Sequence, residues 1–312
     1  MRVVVAGLGV QGYKRRAVAG SDFVASVDPV NAEADYRRLE DVPTDRYDAV
    51  LACIPDEPKI ALLNYCVEKK KHVLVEKPLW AKSAALIIDL QARARKAGVV
   101  CYTAYNHRFE PHYVRMRDLI AGNELGKIYS CRMFYGNGTA RLVRESVWRD
   151  EGAGVLPDLG SHLLDTCRFW FGNIADDFSV VSARAFENRA PDHVVIAGAS
   201  GAMRIELEMT LLMWRNHFTC DILAEQGSAH ITSLCKWGPT TFTHRKRVLP
   251  SGRPPEESVT LAQEDPTWAL EYSHFSRLCA SGARTDLSED IWLHQALNRI
   301  GKDAVTMART SA

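Results

Sequence analysis

The sequence predicts an α/β protein in two parts, a doubly wound parallel sheet followed by an α/β domain on an open, mostly antiparallel sheet. Three observations carry that expectation. Up to residue 105, short apolar runs alternate with helix-like segments. Beyond it, strand-like runs follow one another through short turns. The pattern changes between residues 105 and 125, which suggests a division into residues 1–120 and 121–312.

In the first part the strand-like runs are Arg2–Ala6, Phe23–Asp28, Asp48–Ile54, His72–Val75 and Val99–Tyr105. Runs such as Val3-Val4-Val5 are apolar at every residue, as suits strands covered on both faces. Helix-like segments at Val10–Ala19, Pro58–Lys69 and Lys82–Ala97 separate them, and strand, helix, strand in rotation implies a parallel sheet. Between Asp28 and Asp48 there is room for one short helix and a loop. In the second part a helix over Pro111–Ala121 stops at Gly122-Asn123, and one over Gly154–Phe171 stops at Gly172-Asn173. Strands are expected at Lys127–Gly136, Phe178–Glu187, His193–Ala199, Met203–Thr210, His217–Leu223 and Ala229–Thr232. Residues 250–266 read as a surface loop, and helices at Thr267–Ala280 and Leu287–Arg309 close the chain.

Lys and Arg total 39 against 38 Asp and Glu, a balance that offers no field for nucleic acid or an anionic membrane. The basic runs Lys69–Lys71 and His244–Arg247 read as solvated loop or turn faces. None of the eight cysteines forms a C-x-x-C pair or a zinc spacing, so no metal is expected and a reducing, cytoplasmic compartment fits. The N-terminus has no signal-peptide apolar region, and no stretch reaches the roughly 18–20 apolar residues of a membrane span.

Gly7-Leu8-Gly9-Val10-Gln11-Gly12 has the spacing G-x-G-x-x-G between a strand and a helix. Gly7 permits the tight turn, Gly9 lets backbone approach a pyrophosphate, and Gly12 lets helix and strand pack closely. The helix N-terminus offers unpaired N–H groups to phosphate. Asp28 ends the second strand, about twenty residues on, where a carboxylate binds ribose hydroxyls and repels a 2′-phosphate. NAD is expected, with NADP less favoured.

Two further segments carry chemistry. His72-Val73-Leu74-Val75-Glu76-Lys77-Pro78 places Lys77 at the C-terminal end of a parallel strand, where ligands of open α/β sheets bind. Pro78 stops that strand, and a Lys-Pro bond can be cis at modest cost. In the segment Gly152 to Asp165, Asp158, His162 and Asp165 stand at i, i+4 and i+7, one face of a helix. An Asp one turn before a His can orient the imidazole. The same pair could join a metal site, though no third ligand is marked.

On these residues the chain resembles the glucose–fructose oxidoreductase / inositol dehydrogenase (Gfo/Idh/MocA) family. The specific matches are Lys71 to Leu79, Tyr105-Asn106-His107-Arg108-Phe109-Glu110-Pro111 with Leu125-Gly126-Lys127-Ile128, and the Asp158–Asp165 helix. The resemblance implies a Rossmann domain followed by an α/β domain with an open, mostly antiparallel sheet. It implies hydride transfer between a nicotinamide and a hydroxyl-bearing carbon of a sugar, cyclitol or related small molecule. Lys77 would contact the reacting hydroxyl, His162 would be the general acid/base, and Asp158 would orient it or the substrate. Leu8, Val10, Gln11, Cys53, Ile54, Pro55, Glu76 and Asn106 join the glycines, Asp28 and Lys77 along the cofactor. Arg108, Trp148 and Arg149 would lie by the substrate. Two departures fall around the cofactor pocket: Lys59 stands where the family often has His, and the Asp28–Asp48 stretch is short. Trp214-Arg215-Asn216-His217 and Glu264-Asp265-Pro266-Thr267-Trp268 look similar to members of surface-sugar or nucleotide-sugar metabolism, which tilts the expected substrate toward such sugars. The alternatives on the same fold are an NAD-dependent glycoside hydrolase and a non-catalytic dinucleotide-sensing regulator. An open sheet leaves a face to cover, so a homodimer or homotetramer is expected.

Overall fold

The computed structural model describes residues 1–146, 149–174 and 177–310. The elements are, in chain order, β1 (Val3–Ala6), α1 (Val10–Ala19), β2 (Phe23–Val27), β3 (Ala49–Ala52), α2 (Lys59–Glu68), β4 (His72–Glu76), α3 (Ala84–Ala97), β5 (Cys101–Ala104), α4 (Pro111–Ala121), β6 (Ile128–Gly136), α5 (Ala140–Arg144) and α6 (Ser161–Phe171). They continue with β7 (Ser179–Arg184), β8 (His193–Ser200), β9 (Met203–Thr210), β10 (His217–Ala224), β11 (Gly227–Thr232), β12 (Thr240–Lys246), β13 (Glu256–Leu261), α7 (Thr267–Ala280) and α8 (Ser288–Thr310). They form two compact units, residues 1–106 with 267–294, and residues 107–266 with 295–312.

The first unit is a five-stranded sheet in the order β2-β1-β3-β4-β5, every pair parallel. β1 and β3 are buried along their whole length, as their unbroken apolar runs require. On one face Val4, Val50, Val73 and Val75 pack with Leu63 of α2 and Ile87 and Leu90 of α3. On the other, Val3, Val5, Leu51 and Leu74 pack with Tyr272 and Phe275. Those two belong to α7, so a helix about 160 residues after β5 seals the first sheet.

The stretch after β2 holds no α-helix, in place of the expected short one. It makes two 3₁₀ turns, Leu39–Asp41 and Thr44–Arg46. Beyond β2 a single residue, Tyr36, pairs parallel to Val27. It stands where the usual Rossmann order puts its third strand. The order reverses between β1 and β3, which makes the ends of those strands the switch point where ligands bind.

The second unit is an eight-stranded sheet in the order β13-β12-β11-β10-β6-β9-β8-β7. All its neighbours are antiparallel except β6 and β9. One face buries Cys131, Met133, Tyr135, Leu207, Phe218, Ile231 and Phe242, and Trp170 of α6 donates to the carbonyl of Tyr113 in α4 at 3.0 Å. The opposite face carries Arg132–Glu206, His230–Asp221 and Arg245–Glu256 pairs and the Thr241–Thr260 hydroxyl contact. Such exposed pairs each contribute about 0.2–1 kcal/mol.

Two readings of the sequence change here. Residues 256–261, expected in a loop, form β13 at the sheet edge. The His244–Arg247 run is not a solvated turn. His244 is buried on β12, because alternation turns it inward while Arg245 faces Glu256. Phe275→Ala is expected to cost about 3–5 kcal/mol in chemical denaturation. A loss under about 1 kcal/mol would show that α7 does not seal the first sheet.

Candidate active site

In the first unit the glycine turn follows β1. Gly7 has φ +90°, and a Cβ there would stand 2.3 Å from the carbonyl oxygen of Cys53. A Cβ on Gly12 would stand 1.9 Å from the Gly7 carbonyl oxygen. Both contacts exclude any larger residue. Gly9 differs, since a Cβ on it meets nothing within 4 Å. The turn therefore leaves open space at the N-terminus of α1, where N–H groups point outward. That is the form a pyrophosphate needs. Leu8 is buried beneath the turn, whereas Val10 and Gln11 are exposed at the start of α1. Cys53, Ile54 and Pro55 follow β3; the Cys53 N–H donates to Ala6, and Ile54 reaches toward Gly7.

Asp28 lies against this turn. One carboxylate oxygen accepts from the Leu8 N–H at 2.8 Å, and the other from Val30 at 2.9 Å and Asn31 at 2.8 Å. Burial opposes the charge, but the bonds from Asn31, Leu8 and Val30 prevail and hold the carboxyl below its ordinary range. Its contribution to stability is therefore complete above about pH 4 and is lost as pH falls through the folded-state value. Asn31 completes the fold-back, donating to the Leu8 carbonyl and the Tyr13 hydroxyl at 3.0 Å each. Sequence reasoning missed Asn31. Its only trace was its place three residues after Asp28, where Asp side chains bond their own following backbone.

The end of β4 is held from two sides. Arg15 of α1 is buried and binds Glu76 and Glu271, each at 2.7 Å, with the Trp268 ring 4.3 Å away. Glu76 thus gives its carboxylate to Arg15. Lys77 follows, joined to Pro78 by a cis peptide. Lys59, the departure from the family pattern, is buried and donates to the Pro78 carbonyl at 2.7 Å, with Asp56 at 2.6 Å. Burial pulls its pKa down, Asp56 only partly restores it, and the nearby Lys77 charge acts with burial. Asn106 donates to the Thr267 hydroxyl at 2.8 Å.

In the second unit Leu156–Gly160 makes a π-helical turn that runs into α6. Gly154, at φ +54°, precedes it, and a Cβ there would strike the Pro191 carbonyl. Asp158 lies in this wide turn, and His162 and Asp165 follow it on α6. Asp158 meets Arg149 at 3.3 Å. Asp165 is buried and takes the Arg108 guanidinium on both oxygens, at 2.5–3.1 Å. His162 stacks on His107, with ring centroids 4.0 Å apart and planes 19° from parallel. Tyr135 stands 5.6 Å from His107 and 6.1 Å from His162. The structure thus brings His162, His107 and Tyr135 together, and Arg108 with Asp165. Trp148 lies outside the described residues. Among the described residues no group of three or more His, Cys, Asp or Glu is placed to hold a metal, and no helix is long and apolar enough to cross a membrane.

Residues 1–105 match the model of an oxidoreductase family with an NAD-binding Rossmann fold, and residues 113–230 match the GFO/IDH/MocA C-terminal domain. The chain belongs to the Gfo/Idh/MocA family. Its first unit is the NAD-binding Rossmann domain of an oxidoreductase family. Glucose-6-phosphate 3-dehydrogenase of Bacillus subtilis is 33% identical over 142 residues, 41% of this chain and 39% of that protein. Trans-1,2-dihydrobenzene-1,2-diol dehydrogenase of Bos taurus is 26% identical over 238 residues, 73% and 68% of the two chains. The chain thus spans about two fifths of the first relative's length and two thirds of the second's. The fold is shared with levoglucosan dehydrogenase in complex with NADH (TM-score 0.83, 16% identity, 99% and 98% coverage). It is also shared with UDP-N-acetylglucosamine 3-dehydrogenase from Acidithiobacillus ferrooxidans (TM-score 0.81, 18% identity, 99% of both chains).

The turn geometry separates two glycines. Gly9→Ala is expected to leave the melting temperature unchanged but weaken NADH binding at least tenfold, about 1.4 kcal/mol. Gly12→Ala is expected to lower both. Equal behaviour of the two variants in thermal melts and NADH titration would contradict the assignment.

Proposed function

We propose that this protein is an NAD(H)-dependent dehydrogenase acting on a hydroxyl-bearing carbon of a sugar, cyclitol or nucleotide-sugar-like molecule. The observation that carries the reading is His162, buried on α6 and stacked on a second imidazole, in a chain whose other unit binds NAD. The substrate class draws on the sugar dehydrogenases among its relatives and fold neighbours.

When bound, the nicotinamide supplies the hydride acceptor, or the donor in the reverse direction. His162 takes the proton of the reacting hydroxyl, a role worth typically about 10²–10⁴-fold. Lys77 stabilises the alkoxide as it develops. Glu76, held by Arg15, and Pro78, held by Lys59, fix where that ammonium starts from. Asp158 orients substrate or imidazole, and Arg149 holds Asp158. Arg108, bound to Asp165, braces α6 and the segment carrying His107. Asp28 favours NAD over NADP by setting a carboxylate where a 2′-phosphate would lie.

Lys77→Met and His162→Asn are each expected to lower kcat/KM by about 10²–10⁴-fold in a sugar panel. NADH titration should stay within about threefold of wild type, under 1 kcal/mol. Turnover near wild type in both variants would sink the assignment. Sugar release without net NADH formation would point instead to NAD-dependent glycoside hydrolysis. No turnover of any panel member by the wild type would favour a dinucleotide-sensing regulator. A separate test concerns cofactor choice. Asp28→Asn is expected to narrow the NADH over NADPH affinity ratio about tenfold, or 1.4 kcal/mol. Tighter NADPH than NADH binding by the wild type would refute the role given to Asp28.

A further inference from the structure

The segment after Asn106 and the turn after β11 are fastened residue to residue in the second unit. The buried Glu110 accepts from the Cys235 N–H at 2.8 Å and from its Sγ at 2.7 Å. One turn earlier, His107 Nε2 lies 3.2 Å from Lys236 Nζ, which also donates to the Tyr135 hydroxyl at 3.0 Å. The ammonium lies 4.7 Å from the Trp237 ring centroid and 5.4 Å from that of Tyr135. Neither Lys236 nor Cys235 stood out in the sequence.

The chemistry of these groups fixes a proton. An ammonium has three donors and no acceptor, so its bond to Nε2 needs a lone pair there. His107 must then be neutral, with its proton on Nδ1. His107 in turn stacks on His162 at 4.0 Å. Two imidazoles at that distance do not both charge without a large cost.

We propose that Lys236 holds His107 as the neutral Nδ1–H tautomer and so leaves His162 the one titrating member of the stacked pair, biased toward its neutral, proton-accepting form. Lys236 is a positioning residue that acts through His107. The proposal deepens the function given above and rests on His162 as its acid–base group. Among the described residues, the ionisable groups near the pair include Tyr135 of β6, Tyr113 of α4, and Asp165 with its partner Arg108. Asp158 with Arg149 lies on the turn before α6, and Glu110, Cys235 and Asp265 lie on the Lys236 side. Burial pushes the Glu110 carboxyl and the Cys235 thiol upward, toward their neutral forms. Asp165 is an anion already matched by Arg108. Lys236 is bonded to the pair through His107.

The sign follows from charge. Removing a nearby cation favours imidazolium, so the His162 midpoint rises and activity is lost at a higher pH on the acid side. Long-range ¹H–¹⁵N correlation on ¹⁵N-histidine protein from pH 5.5 to 8.5 reads tautomer and titration without turnover. His107→Gln and His162→Asn assign the signals. In the wild type, His107 should show the Nδ1–H form throughout while His162 titrates. In Lys236→Met the His162 midpoint, and with it the acid limb of kcat/KM, should rise by about one pH unit. Lys236→Arg keeps charge and donor and should match wild type. An Nε2–H tautomer of His107 in the wild type, or an unmoved His162 midpoint in Lys236→Met, would overturn the proposal. If both NMR results appear as expected but His162→Asn retains turnover, the pair is as proposed and the acid–base role falls.

Discussion

The buried guanidinium of Arg15 is the interaction on which the first unit turns. It projects from the helix that the glycine turn opens, and it binds Glu76 at the end of β4 and Glu271 on α7. A charge taken from water this completely is tolerable only with partners in good geometry. Three elements distant in sequence are therefore tied to one point. The glycine turn, the strand end carrying Lys77 and the helix that seals the sheet cannot shift independently. Lys59 adds a second buried cation on the other side of the same strand end, bound to the Pro78 carbonyl. The Glu-Lys-Pro segment is thus held at the residue before Lys77 and at the residue after it.

The second unit solves a related problem with aromatic rings. A histidine serves acid–base chemistry only if its protonation is set by its neighbours. Around His162 stand a second imidazole and a tyrosine, from segments near residues 107 and 135, and the ammonium of Lys236 is bonded to that second imidazole. The Arg108–Asp165 pair braces the same helix at its next turn. The long antiparallel sheet supplies the rigid floor on which β6 presents Tyr135.

Much of this was legible in the sequence where the signal was local. Apolar runs marked β1 and β3 because a parallel strand is buried on both faces. The glycine spacing marked the turn because each glycine answers a steric demand within a few residues. Other features left no local trace. Residues 256–261 are polar enough to read as loop, and become a strand only because β12 offers an edge. Tyr36 marks the place of a strand with one residue, which no periodicity can show. Asp158, His162 and Asp165 read as one regular helix, but a π-helical turn over Leu156–Gly160 holds Asp158 while the other two lie on α6.

By itself the sequence determined the two-part α/β plan and the dinucleotide turn with its acid at Asp28, which follow from short-range rules of sterics, periodicity and hydrogen bonding, while its resemblance to the family pointed to Lys77 and His162. Only the tertiary structure decided that α7 covers the first sheet, that Arg15 and Lys59 anchor the Lys77 segment, and that Lys236 meets His107 beside His162. Those contacts join residues tens to hundreds of positions apart. What selects them is the need to pair buried charge and to cover apolar surface, conditions that exist only once the chain has folded.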